Sequence, residues 1–131
     1  FSVLEKIIPV ADLFLFDIKE TDGGNHLRYT GISNEIPLAN IRKLDAMGKQ
    51  VWMRCPIIPG VNDREDHFKT LAKLYVSLKN AARIQLMSYH AMGQGKTTRF
   101  GVDSRRFRVP SAGEVEGWNR MLRTAIEKEQ Q

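Results

Sequence analysis

What the chain lacks narrows it first. Its 131 residues include a single cysteine, Cys55. That excludes an intrachain disulfide and any site built from several thiolates, and it fits a reducing compartment. The apolar stretches run about six to eight residues, well short of the roughly 20 that a membrane-spanning helix needs. The opening Phe1-Ser2-Val3-Leu4-Glu5-Lys6 lacks the basic-then-apolar layout of a secretion signal. Acidic residues are the scarcer charge, leaving a net charge of +5 that favours acidic partners in general. Five of the basic residues crowd into Lys96 to Arg108, a patch that reads as a solvated loop. There is no low-complexity segment, and the length suits one domain with a real core.

What is present is organised around residues 50 to 63. Val51-Trp52-Met53-Arg54-Cys55-Pro56-Ile57-Ile58 is a β-branched and aromatic run broken by Pro59-Gly60, and a helix follows it. Such a strand belongs in a parallel sheet, yet Arg54 sits in its middle. A guanidinium keeps its charge, and leaving it unpaired in an apolar layer would cost several kcal/mol. Arg54 therefore has an anionic partner in the fold, such as Asp17, or faces a cleft where an anionic ligand reaches it.

The rest of the chain repeats one unit. Val3, Leu4, Ile7 and Ile8 have helical spacing but no N-terminal approach, which reads as a chain whose true beginning is missing. Asp12 to Lys19 is predicted as a strand. Leu13, Leu15, Asp17 and Lys19 share one face, expected towards the core, and Phe14, Phe16 and Ile18 share the other. Thr21 to Asn25 reads as a breaker-rich loop. A helix over Ile36 to Met47 stops at Gly48. The second strand is predicted over Gln50 to Ile58. Asn62 with Glu65 resembles a capping box opening a helix that runs to Lys79, with Phe68, Leu71, Leu74, Tyr75 and Leu78 on one side. A third strand spans Arg83 to His90. The long loop Ala91 to Pro110 exceeds what packing needs. Ser111 with Glu114 opens a last helix whose core side is Val115, Trp118, Leu122 and Ala125, with Glu127 to Gln131 expected to fray. Strand–helix repeated three times means right-handed crossovers and a parallel sheet, an α/β fold. Three strands alone leave both edges open, so a larger sheet is expected.

In βα-repeat folds, binding groups gather at the carboxyl ends of strands. Here Asp17 and Lys19 end the first strand, Arg54 lies near the end of the second, and His90 ends the third. Individually Asp17 reads equally well as a loop cap, Lys19 as a solvated cation and His90 as a hydrogen-bonded rim residue. Together they favour a small polar ligand bearing a carboxylate or phosphate, because Arg supplies bidentate geometry and Lys a point charge. Gly93-Gln94-Gly95-Lys96 lacks the spacing of a phosphate loop. Cys55 reads as a small buried hydrophobe rather than a nucleophile, and Trp52, Met87 and Met92 as core or pocket lining.

These stretches, in this order and spacing, resemble the glycyl-radical-enzyme activating enzymes of the radical S-adenosylmethionine superfamily, of the pyruvate formate-lyase activating type. The stretches are Asp12 to Lys19, Arg28 to Asn34, Val51 to Asp63, Gln85 to His90 and Gly95-Lys96. The resemblance covers nearly the whole chain and corresponds to the C-terminal half of such enzymes. It implies three parallel βα units from a partial (β/α)6 TIM-like barrel, with S-adenosylmethionine lying across the strand ends. It implies that Asp17 helps hold a monovalent cation near the cofactor carboxylate, that Lys19 contacts that region, that Arg54 binds the methionyl moiety and that His90 lines the site. These are positioning groups, and none is an acid–base catalyst. It implies reductive cleavage of S-adenosylmethionine at a [4Fe–4S] cluster and hydrogen abstraction from a glycine of a partner such as pyruvate formate-lyase. An electron donor such as flavodoxin or ferredoxin and a cytoplasmic setting, away from any membrane, come with it, and the loop Ala91 to Pro110 is the expected partner contact. Two departures stand out: Ser88 occupies a position where the family often has Pro, and the cysteine triad that would carry the cluster is absent, so this chain alone is expected to be inactive. Two other readings remain. One is a radical S-adenosylmethionine enzyme acting on a small molecule or RNA. The other is a non-catalytic basic α/β domain that binds nucleic acid, which the scarcity of aromatics among the basic residues disfavours.

Overall fold

The structure, a computed structural model, describes residues 2–90 and 107–131. A short helix α1 (Ser2–Glu5) and a 3-10 turn (Ile8–Val10) lead into β1 (Leu13–Asp17). Helices α2 (Gly23–Thr30) and α3 (Glu35–Ala46) separate it from β2 (Gln50–Ile57). Then come α4 (Glu65–Ser77), β3 (Ala81–Ser88) and α5 (Ala112–Glu129). The strands form one parallel sheet in the order β1-β2-β3. The α/β class and the three parallel βα units expected from the sequence are those observed.

Alternation along the strands decides which residues are inside. Val51, Met53, Cys55 and Ile57 point to the helix-covered face and are fully buried. They meet Phe14 and Ile18 of the first unit, Ile41 and Leu44 of α3, Phe68, Leu71 and Leu74 of α4, and Trp118 and Leu122 of α5. The opposite face is uncovered among the described residues. There Leu13 is 44% exposed, Leu15 51% and Met87 39%. Leu13, Leu15 and Asp17 share one face as expected, but that face is not the core side. Parallel strands are apolar on both faces, so the pattern could not say which one the helices cover.

Other boundaries differ from expectation: β3 runs two residues earlier than expected, so His90 lies beyond it, and α4 ends at Ser77 rather than Lys79. The breaker-rich stretch after β1 forms α2. Asp22 Oδ1 accepts from Asn25 N–H at 2.8 Å as its N-cap, and Gly31 closes the helix at φ 78°. Asn62 does not cap α4, which starts at Glu65 with Arg64 as N-cap and no side-chain cap bond. Glu127 to Glu129 stay helical at the end of α5. The capping box of Ser111 and Glu114 is formed as expected, with reciprocal hydrogen bonds. Gly48, at φ 73°, turns the chain between α3 and β2 in the left-handed region that glycine tolerates.

Candidate functional site

Register brings the predicted groups to one end of the sheet. Asp17 is the Cα partner of Arg54, and Arg54 that of Gln85; Ile57 pairs with Ser88, two residues before His90. Arg54 Nε donates to Asp17 Oδ1 at 2.9 Å, and Nη2 lies 2.9 Å from the same oxygen in an ion pair. The two side chains are 35% and 42% exposed, so the pair lies at the solvent edge rather than in the core. Among the described residues, Arg54 Nη1 and Asp17 Oδ2 carry no further ion pair or hydrogen bond. Donor and acceptor capacity thus remains on both.

Lys19 is exposed two residues beyond β1, and its carbonyl accepts from Asn62. His90 is exposed beyond β3, with Nε2 3.5 Å from Ser88 Oγ, which is long for a strong hydrogen bond. No hydrogen bond or ion pair joins Lys19 or His90 to the Asp17–Arg54 pair among the described residues. The pair borders an open cavity of about 580 Å³ with Leu15, Phe16 and Ile36. Lys19 borders another of about 480 Å³ with Tyr29, Pro56, Val61, Asn62 and Phe107. Residues 91–106, which hold most of the basic patch, Met92 and Gly93 to Lys96, lie outside the described residues.

On the same uncovered face, Trp52 lies below Arg54, and the Arg83 guanidinium stacks on it 4.6 Å from the ring centroid. The buried indole Nε1 has no acceptor among the described residues. Cys55, one residue on from Arg54, points the other way into the helix-covered core. Burial first, and the Asp17 charge second, push its thiol up to about 12. Buried and protonated, it is a poor nucleophile near neutral pH.

Behind the strand ends lies a polar cluster that the sequence did not reveal. Glu20 and His67 are buried. Arg64 clamps Glu20 with Nη1 to Oε2 and Nη2 to Oε1, both 3.0 Å, while Glu20 Oε1 accepts from the Thr21 and Asp22 N–H groups at 2.9 and 3.0 Å. Burial alone would raise the Glu20 carboxyl. The Arg64 guanidinium, through its hydrogen bonds and its charge, and the Asp22 N–H outweigh it and hold the carboxyl below its ordinary range. His67 Nδ1 lies 2.8 Å from Thr21 Oγ1 and accepts from Thr21 N–H at 3.3 Å, leaving Nε2 with the proton and without a partner among the described residues. Asn34 Nδ2 donates to the carbonyl of Thr21 at 2.9 Å. The available signal was the ionisable Glu20 directly after Lys19, but only burial distinguishes it from a solvated loop residue.

These features define a class: a βα-repeat chain whose parallel strand ends present a mixed cation–anion edge, the usual place for a ligand in such folds. No family model matches the chain. It is 40% identical over 98 residues to the pyruvate formate-lyase-activating enzyme of Streptococcus mutans, covering 75% of this chain and 37% of that one. It is 38% identical over 103 residues to the choline trimethylamine-lyase activating enzyme of Oleidesulfovibrio alaskensis, covering 76% and 33%. Against the trans-4-hydroxy-L-proline dehydratase activating enzyme of Clostridioides difficile it is 36% identical over 94 residues, covering 70% and 31%. A crystal structure of a domain of pyruvate-formate lyase-activating enzyme from Bacteroides vulgatus shares the fold. Its TM-score is 0.75 at 24% identity, over 95% of this chain and 69% of that one. This chain is a relative of the glycyl-radical-enzyme activating enzymes, and its match spans about a third of their length.

Proposed function

We propose that the intact protein is an activating enzyme for a glycyl radical enzyme, and that this chain is the C-terminal half of its barrel, holding the methionyl end of S-adenosylmethionine. The observation that carries this reading is the Asp17–Arg54 pair. It is half exposed, in register at adjacent strand ends, and retains unused donor and acceptor capacity. A methionyl group carries a carboxylate, which suits Arg54 and Lys19, while Asp17 suits a monovalent cation beside it. His90, two residues beyond β3, would line the same site in this reading. Bound at a [4Fe–4S] cluster, S-adenosylmethionine supplies the radical that takes hydrogen from a partner's glycine. The residues of this chain bind and orient the cofactor. None of them is asked to move a proton.

Cys55 is the one cysteine of this chain and is buried in the core, and a [4Fe–4S] cluster needs several thiolates, so the cluster ligands would come from another part of the protein. The relatives are named for activating pyruvate formate-lyase, choline trimethylamine-lyase and trans-4-hydroxy-L-proline dehydratase, and a partner of that type is proposed here. A flavodoxin or ferredoxin as electron donor and a cytoplasmic setting follow the same reading. Among the described residues, no helix is long and apolar enough to cross a membrane.

Isothermal calorimetry on the intact, cluster-loaded protein tests the site. Arg54→Ala and Lys19→Ala are each expected to weaken S-adenosylmethionine binding by about tenfold or more, the scale of one lost charge-assisted contact. Unchanged affinity in both variants would sink the assignment.

A further inference from the structure

The β1–α2 and β2–α4 connections belong to different βα units, yet one side chain holds both. Asn62 is 2% exposed. Its Oδ1 accepts from Ile58 N–H at 2.8 Å, and its Nδ2 donates to the carbonyls of Lys19 and Pro56, each at 2.8 Å. Both amide hydrogens are therefore used, one on the β1–α2 connection at Lys19 and one on the end of β2 at Pro56, while the Asn62 oxygen holds the β2–α4 connection at Ile58. The backbone is shaped for this arrangement. Gly60, at φ 75°, turns the chain back beneath the end of β2, and its N–H is held by Asp63 Oδ1 at 2.8 Å. A second tie runs in parallel, since Arg64 grips Glu20. Residues 19 and 20 of one connection are thus fastened by residues 62 and 64 of the other.

We propose that Asn62 is a positioning residue for the cofactor edge: it fixes the Lys19 main chain against the end of β2 and so sets where the Lys19 ammonium meets a ligand beside Arg54. The inference rests on the proposed function, in which Lys19 and Arg54 contact the same carboxylate-bearing cofactor. Lys19 has a long, freely rotating side chain on a connection outside regular structure. A mobile main chain beneath it would spread the ammonium over many positions and lose the benefit of preorganisation. The amide of Asn62 is taken up by the three main-chain groups it holds, so its influence on a ligand runs through Lys19. A residue that merely supported the fold would affect stability without caring whether the Lys19 ammonium is present.

A double-mutant cycle separates the two roles. S-adenosylmethionine affinity is measured by calorimetry on the intact, cluster-loaded protein for wild type, Asn62→Ser, Lys19→Ala and the double variant, with melting curves alongside. Asn62→Ser is expected to weaken affinity by about fivefold to tenfold in wild type and by less than about twofold in the Lys19→Ala background. Leu122→Ala, in the core of α5, is expected to lower the melting temperature and leave affinity unchanged. Equal losses from Asn62→Ser in both backgrounds, or no loss in wild type, would overturn the inference while leaving the cofactor site standing. No loss from Lys19→Ala itself would overturn the inference and remove Lys19 from the proposed site. Should Asn62→Ser fail to fold, hydrogen exchange of wild-type Ile58 N–H decides. That amide is bound to Asn62 Oδ1 and is expected to exchange several-fold more slowly in saturating S-adenosylmethionine; an unchanged rate overturns the inference.

Discussion

Arg54 and Cys55 follow one another in β2 and face opposite surroundings, one half exposed beside Asp17, the other fully buried among helices. The sequence made Arg54 conspicuous because a permanent charge inside an apolar run needs a partner, and that physical demand is independent of any family. His67 was inconspicuous for the converse reason: a histidine in an acidic, helix-starting stretch reads as solvated. Its burial has a measurable consequence. Loss of solvation lowers the His67 pKa first, the Glu20 carboxylate opposes this, and the net direction is downward from the ordinary value of 6.5. The folded protein therefore holds His67 neutral where the unfolded chain binds a proton. Stability contributed by this group is present above pH 6.5 and falls as pH drops below it. The loss between pH 6.5 and 5.5 is expected to be at most about 1 kcal/mol, the limit set by a slope of about 1.4 kcal/mol per pH unit when the unfolded chain alone binds the proton. Urea unfolding at both pH values should show that drop in wild type. His67→Gln, which keeps an acceptor for Thr21, should lack that share of it. A His67→Gln variant with the same pH dependence as wild type would contradict the assignment.

At the level of elements, the strands and the long helices were legible and α2 was not. Hydrophobic alternation in β1 and β2, the αL stop at Gly48 and the capping box at Ser111 each carry a local physical cause that tertiary contacts did not override. Gly23 and Gly24 argue the other way, because each glycine in a helix costs about 1 kcal/mol relative to alanine. The helix forms nevertheless, with Asp22 capping its first turn, His26 buried on its inner side, and Thr30 and Ile32 bonded to that histidine. With two glycines at its start, α2 depends on its cap more than α5 does. Asp22→Ala should therefore cost about 1 kcal/mol and release the α2 amides to faster hydrogen exchange, while the α5 amides keep their protection. Uniform loss of protection in both helices would mean that α2 is not a separately capped unit. The same scale explains the misreading of Asn62. Its spacing to Glu65 imitates a cap, but its amide is drawn into the sheet ends by the carbonyls of Lys19 and Pro56.

For the molecule as a whole, the uncovered sheet face is the dominant feature. Parallel sheets are ordinarily covered on both sides, yet here Leu13, Leu15 and Met87 stand exposed beside Trp52, and β1 and β3 are open edges among the described residues. The sequence could show that three strands make an incomplete sheet. It could not show which face would be left bare, because both faces of β1 are apolar. The matched relatives are roughly three times the length of the match; in the proposed function, where this chain is part of a longer protein, the remainder would continue the sheet and close over this face. Produced alone, the 131-residue chain should therefore self-associate through the bare face and the open edges. Sedimentation velocity across a micromolar concentration series should show species larger than a monomer. Leu15→Glu, placing a charge on that face one layer below the Asp17–Arg54 pair, should shift the distribution towards monomer without unfolding the helix-covered core, since Leu15 points away from it. A chain that stays monomeric throughout, or a Leu15→Glu variant that associates just as strongly, would mean that the bare face is not what seeks a cover.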